Sequence, residues 1–112
     1  MKIMHILSAA LVLPLALVAT QAMAGDPRAG EAKAQACIAC HGADGNSPTA
    51  AFPRIGGQYE SFLLRSLRGY KSGERENAIM AGTVAGLSDQ DLQDLAAYYA
   101  GQKSTLYVPS LR

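Results

Sequence analysis

The chain has 112 residues, with ten basic and nine acidic side chains for a formal net charge of +1, 49% hydrophobic residues, two cysteines and no tryptophan. That length restricts it to one small domain. The balance of charge argues against a nucleic-acid partner and against a polybasic grip on a membrane surface.

Residues 1–24, MKIMHILSAALVLPLALVATQAMA, combine a basic Lys2, an apolar run from Ile6 to Val18 and the small-x-small end Ala22-Met23-Ala24. They read as a secretory signal peptide cut after Ala24, which exports the rest of the chain. The competing reading is a membrane anchor. Its apolar run is shorter than the roughly 20 residues a spanning helix needs, and Pro14 interrupts it. No stable membrane insertion is expected after cleavage. The remaining domain, 25–112, holds 88 residues with nine basic and nine acidic side chains. A domain of that size buries a marginal core and needs a disulfide framework, a metal or a large cofactor to supplement it.

Asp26 before Pro27 marks a helix start, an N-cap acceptor followed by a residue whose missing N–H costs nothing at the first position. The helix is expected to run to about Ala36, with a small-residue face of Ala29, Gly30, Ala32, Ala34 and Ala36 that lets another helix approach. From Gly42 to Gly57 the sequence is loop, with "GADGNSP" and "FPRIGGQ" rich in turn residues. Tyr59, Phe62, Leu63, Leu67 and Tyr70 recur at helical spacing, so a second helix is expected there, ended by Gly73. A short turn over Arg75 to Ile79 and a loop over "MAGTVAG" follow. The last helix is specified by Ser88 and Asp91 at capping-box spacing, with Leu87 placed to staple onto Leu92. Leu92, Leu95, Ala96 and Tyr99 form its buried stripe, and Gly101 ends it. The 104–112 tail is either docked or disordered, the latter at its end. Arg54, Arg65, Arg68, Lys71 and Arg75 enrich the middle of the chain in positive charge, while Asp89, Asp91 and Asp94 open the last helix; both read as solvated faces. The class is all-α with long loops. Loops this long in so small a domain make sense if they wrap something.

The stretch CIACH supplies the object to be wrapped. Cys37, Cys40 and His41 stand at offsets that share one helix face. C-x-x-C-H is the signature of covalent c-type haem attachment: each thiol adds to one vinyl group, and the imidazole binds the iron. A disulfide between Cys37 and Cys40 closes too short a loop to stabilise much. A zinc site needs about four ligands, and the domain after Ala24 has two cysteines and one histidine. A thioredoxin-like pair needs a βαβ context that the pattern lacks. For the opposite side of the iron, Met80 is the sole methionine of 25–112. Thioether ligation favours the reduced iron and raises the potential, which makes Met80 the expected distal ligand. A lysine, a tyrosine or an open position are the alternatives.

The ordered set "GDPRAGEAKAQACIACHGADG", "FPRIGGQ", "RENAIM" and "LSDQDLQDLAAYYAGQ" resembles the small bacterial class I c-type cytochromes, including those whose two-domain relatives carry two haems. That resemblance implies a cytochrome c fold of three to four helices around one covalently bound haem c, the first and last helices crossing with Gly30 as the close contact near Tyr98 or Tyr99. It also implies that the Pro53 carbonyl holds the His41 ring N–H. Arg54, Gln58, Arg75 and Asn77 become candidate contacts to the haem propionates or to the Met80 segment. With His41 and Met80 on the iron no position is open for substrate, so a periplasmic one-electron carrier is expected, not an enzyme. Its partners would be redox proteins such as a membrane cytochrome complex, a terminal oxidase or a periplasmic dehydrogenase, met through a modest, short-lived contact. An electron-transfer subunit fixed in a dehydrogenase or oxidase complex is the alternative, and a haem sensor or peroxidase with an open distal site is a further one.

Overall fold

The computed structural model describes residues 24–105. The expected leader, up to residue 23, and the end of the tail, residues 106–112, lie outside the described residues. Five helices follow in order: α1 (Pro27–Lys33), α2 (Gln35–His41), α3 (Glu60–Ser72), α4 (Ala78–Val84) and α5 (Asp89–Ala100). No strand occurs among the described residues. None of these helices is long and apolar enough to cross a membrane.

Asp26 caps α1 as its sequence indicates, its carboxylate accepting from the Arg28 N–H at 2.9 Å beside Pro27 at the first turn. The expected single helix to Ala36 is instead two short ones. Ala34, fully buried, sits at their junction with φ −71° and ψ −5°, ending α1 and preceding α2. This break and α4 account for five helices where three to four were expected.

The crossing of α1 and α5 organises the molecule. A β-carbon at Gly30 would meet the Asp94 carbonyl oxygen at 2.0 Å and Tyr98 Cβ at 2.8 Å, so only glycine permits the approach. Beside it, Lys33 reaches Asp91 at 2.8 Å and Asp94 at 2.6 Å. The Asp94 carboxylate also accepts from the Asp26 N–H and the Gln90 side chain, each at 2.8 Å. Asp91 and Asp94 are therefore not part of a solvated face, while Asp89 remains exposed. Asp94 is only 2% exposed because three donors replace its water. Asp89, at the start of the same helix, takes two hydrogen bonds of 2.7 Å from the Arg68 guanidinium on α3.

The expected capping box is present on α5: Ser88 Oγ accepts from the Asp91 N–H and the Asp91 carboxylate from the Ser88 N–H. Its buried stripe, Leu92, Leu95, Ala96 and Tyr99, is the expected one. Together with Ala34 and Leu63 these residues make most of the core, against which Cys37, Ile38, Ile55, Leu64, Leu67 and Leu87 pack. Burying a leucine such as Leu92 or Leu95 contributes about 1.5–3 kcal/mol. Few side chains of that size are available. Tyr59, Phe62 and Ile79 remain 81%, 50% and 65% exposed, so the protein atoms alone leave large apolar surface on the α3 and α4 segments.

The segment MAGTVAG is not loop. Asn77 accepts the Met80 N–H at 3.0 Å through its side chain and so starts α4, whose one extensive contact is with α3. Local capping and tertiary packing overcome the weak helix propensity of Gly82, Thr83 and Val84.

Candidate haem site

Cys37, Cys40 and His41 occupy α2 through its last residue. Both cysteines are half-buried free thiols, not joined to one another. Burial pushes the Cys37 thiol above its ordinary range. Beside it the Tyr99 hydroxyl is buried with no hydrogen-bonding partner among the described residues, and desolvation raises that phenol as well.

His41 is 7% exposed. Its Nδ1 lies 2.8 Å from the Pro53 carbonyl oxygen, an arrangement in which Nδ1–H donates and the lone pair is left on Nε2. The Phe52 ring meets the imidazole edge to face at 6.4 Å, restricting its rotation.

The loop between α2 and α3 brings Pro53 back to His41, and it is fastened at several points. Gly45, at φ +74°, turns the chain so that its carbonyl accepts both the Ile55 and Gly56 N–H groups, at 2.8 and 3.0 Å. A side chain at Gly45 would also collide with Tyr99 Cδ1 at 2.8 Å. Tyr98 donates its hydroxyl to the Ala43 carbonyl at 2.7 Å, and the Gly57 N–H reaches the Tyr99 carbonyl at 2.9 Å. The end of α5 thus holds both ends of the loop. Sequence reasoning missed Asn46 in this loop, reading it as a turn residue within "GADGNSP"; its side chain binds Lys103 and Thr105, 57 and 59 residues away.

Met80 stands on the first turn of α4, half-buried, with Asn77 as its cap. Of the other expected contacts, Gln58 turns its side-chain oxygen to the Tyr59 N–H at 2.8 Å. The Arg75 guanidinium folds back on α3, 3.0 Å from Ser66 Oγ and 4.9 Å from the centre of the Tyr70 ring. Arg54 is exposed and makes no side-chain bond to a described residue. Asn77 alone of these four touches the Met80 turn.

The donor set suits a tethered porphyrin. Two unpaired thiols and an imidazole with Nε2 free stand in two turns of one helix, next to a buried hydroxyl, while exposed apolar side chains on the α3 and α4 segments are available to cover a flat ring. An all-helical domain with this turn and these wrapping loops defines the class of c-type haem-binding proteins.

Comparison with known proteins agrees. The cytochrome c family model matches residues 28–102, and the chain belongs to that family. It is 48% identical over 103 residues to cytochrome c4 of Pseudomonas aeruginosa, covering 92% of this chain and 51% of that protein. It is 42% identical over 83 residues to cytochrome c-554(548) of Halomonas halodenitrificans, covering 71% of this chain and all of that one. The crystal structure of reduced cytochrome c4 from Pseudomonas stutzeri superposes with a TM-score of 0.68 at 46% identity, over 71% of this chain and 47% of that one. The chain therefore spans about half the length of the cytochromes c4 it matches. As a cytochrome c domain it carries one covalently bound haem c.

Proposed function

We propose that this chain carries single electrons between redox proteins in the periplasm and catalyses no reaction of its own. When bound, haem c supplies a one-electron Fe(III)/Fe(II) couple. Cys37 and Cys40 would hold the ring through thioethers, and His41 would hold the iron through Nε2. The Pro53 carbonyl fixes the imidazole tautomer and ring orientation. Met80 would hold the iron through its thioether, a ligand that favours the reduced state. Asn77 orients the turn that carries it.

The observation that carries this reading is the His41 to Pro53 hydrogen bond of 2.8 Å, in the same helix end as two free thiols. It assigns a donor role to one ring nitrogen and leaves the other for a metal. Carbon monoxide binding to the reduced protein tests the carrier role. A carrier with both axial positions filled binds it slowly and incompletely at neutral pH; rapid stoichiometric binding would assign a sensor or peroxidase instead.

A second reading places the chain as a fixed electron-transfer subunit of a dehydrogenase or oxidase complex. Co-purification with a flavin or quinone enzyme in stoichiometric amount would select that reading over a free shuttle.

A further inference from the structure

The structure assigns Asn46 as a positioning residue for His41, acting by strapping residues 103–105 across the loop that carries Pro53. This rests on the haem-carrier reading above, in which His41 binds the iron. The Asn46 amide group is used on both sides. Nδ2 donates to the Lys103 carbonyl at 2.8 Å, and Oδ1 accepts from both the Thr105 N–H and the Thr105 hydroxyl at 2.9 Å. Its own N–H is held by the Asp44 carboxylate at 3.0 Å, so the side chain is aimed before the strap arrives.

Three backbone segments stack at this point. Residues 43–46 lie against 55–57, where a β-carbon at Gly56 would stand 2.3 Å from the Asp44 carbonyl oxygen and 3.3 Å from Asn46 Nδ2. Residues 102–104 lie against Gly57, where a β-carbon would meet Gln102 O and Ser104 Cβ at 2.9 Å. Ile55 and Gly56 bond to the Gly45 carbonyl, and Pro53, two residues before Ile55, is the acceptor for His41. The strap therefore closes the outer side of a clasp whose inner side sets the distance between Pro53 and the imidazole. An amide is required: a carboxylate at position 46 would turn an oxygen toward the Lys103 carbonyl, and alanine would release both peptide groups.

The test uses the haem-loaded protein and reads hydrogen exchange of the His41 Nδ1–H by NMR, with the Leu95 amide as a reporter of global opening. In Asn46→Ala the Nδ1–H is expected to exchange about tenfold faster or more while Leu95 is unchanged, the mark of local opening. Thr105→Val, which removes one donor to Oδ1, should give a smaller rise, and the double variant should exceed Asn46→Ala by nothing measurable, since both act through one contact. An unchanged Nδ1–H rate in Asn46→Ala, or a Leu95 rate that rises in parallel, overturns the assignment. Either result leaves the carrier reading standing. That reading fails separately, if the wild-type protein carries no covalent haem.

Discussion

Gly30 and Asp94 meet through their backbones so closely that a β-carbon on Gly30 would stand 2.0 Å from the Asp94 carbonyl oxygen. Neither atom has freedom to withdraw, since Gly30 lies within α1 and the Asp94 carbonyl within α5. Gly30→Ala must push the two helices apart, and with them the packing of Ala34 and Leu95. We expect a loss of about 3 kcal/mol, at the upper end for overpacked sites. Thermal unfolding of the purified haem protein checks it; a melting temperature within a degree or so of wild type would show that the crossing is looser than described.

The ion pairs beside that contact make stability depend on acid. The Lys33 ammonium holds Asp91 down to about 2, and Lys33 with the Asp26 N–H holds Asp94 below the usual carboxylate range. A carboxylate depressed in the fold stabilises it above the unfolded value near 4, and that contribution is lost as pH falls through the folded value. The Lys33 ammonium is raised by the same contacts, so its share is present below about 10.5 and fades at higher pH. Melting temperatures measured from pH 7 to 2 should hold steady to about pH 5 and drop below about pH 4. Lys33→Met should start lower at pH 7 and lose less over the acid window. Parallel curves for the two proteins would mean that Lys33 does not set these carboxyl groups.

Met80→Ala should remove the weak red absorption of a sulfur-to-ferric-iron bond and lower the midpoint potential by on the order of 0.2 V, within the range that axial ligands span. Spectroelectrochemistry reads both. An unchanged spectrum would transfer the distal role to another side chain.

Cys37→Ser with Cys40→Ser should leave a chain that does not hold its fold. The core is thin, with leucine burial confined largely to Leu63, Leu92 and Leu95, and a tethered ring has to supply much of the remaining apolar contact. Circular dichroism of the exported double variant is the check. A stable, cooperatively melting helical product without haem would show the polypeptide to be sufficient.

What could be read from the sequence follows from how local each signal is. Asp26-Pro27 and the Ser88/Asp91 box are codes complete within a few residues, and each caps a helix where its residues indicate; the CIACH stretch, equally local, closes α2. The 2.8 Å contact between His41 and Pro53 was expected from the family resemblance; no spacing rule links residues twelve apart through a loop. The helix α4 was legible only in Asn77, a cap three residues before Met80, because Gly82, Thr83 and Gly86 speak against helix and packing on α3 decides. Asp94 read as a surface acid since its main partner, Lys33, is 61 residues away. Asn46 likewise read as a turn former, its partners lying beyond α5.

The central claim is a haem c joined through Cys37 and Cys40, and intact mass spectrometry of the exported, processed protein tests it most directly. The account predicts a polypeptide heavier than its amino acids by one haem, retained after denaturation and solvent extraction. A folded product at the bare polypeptide mass would contradict it.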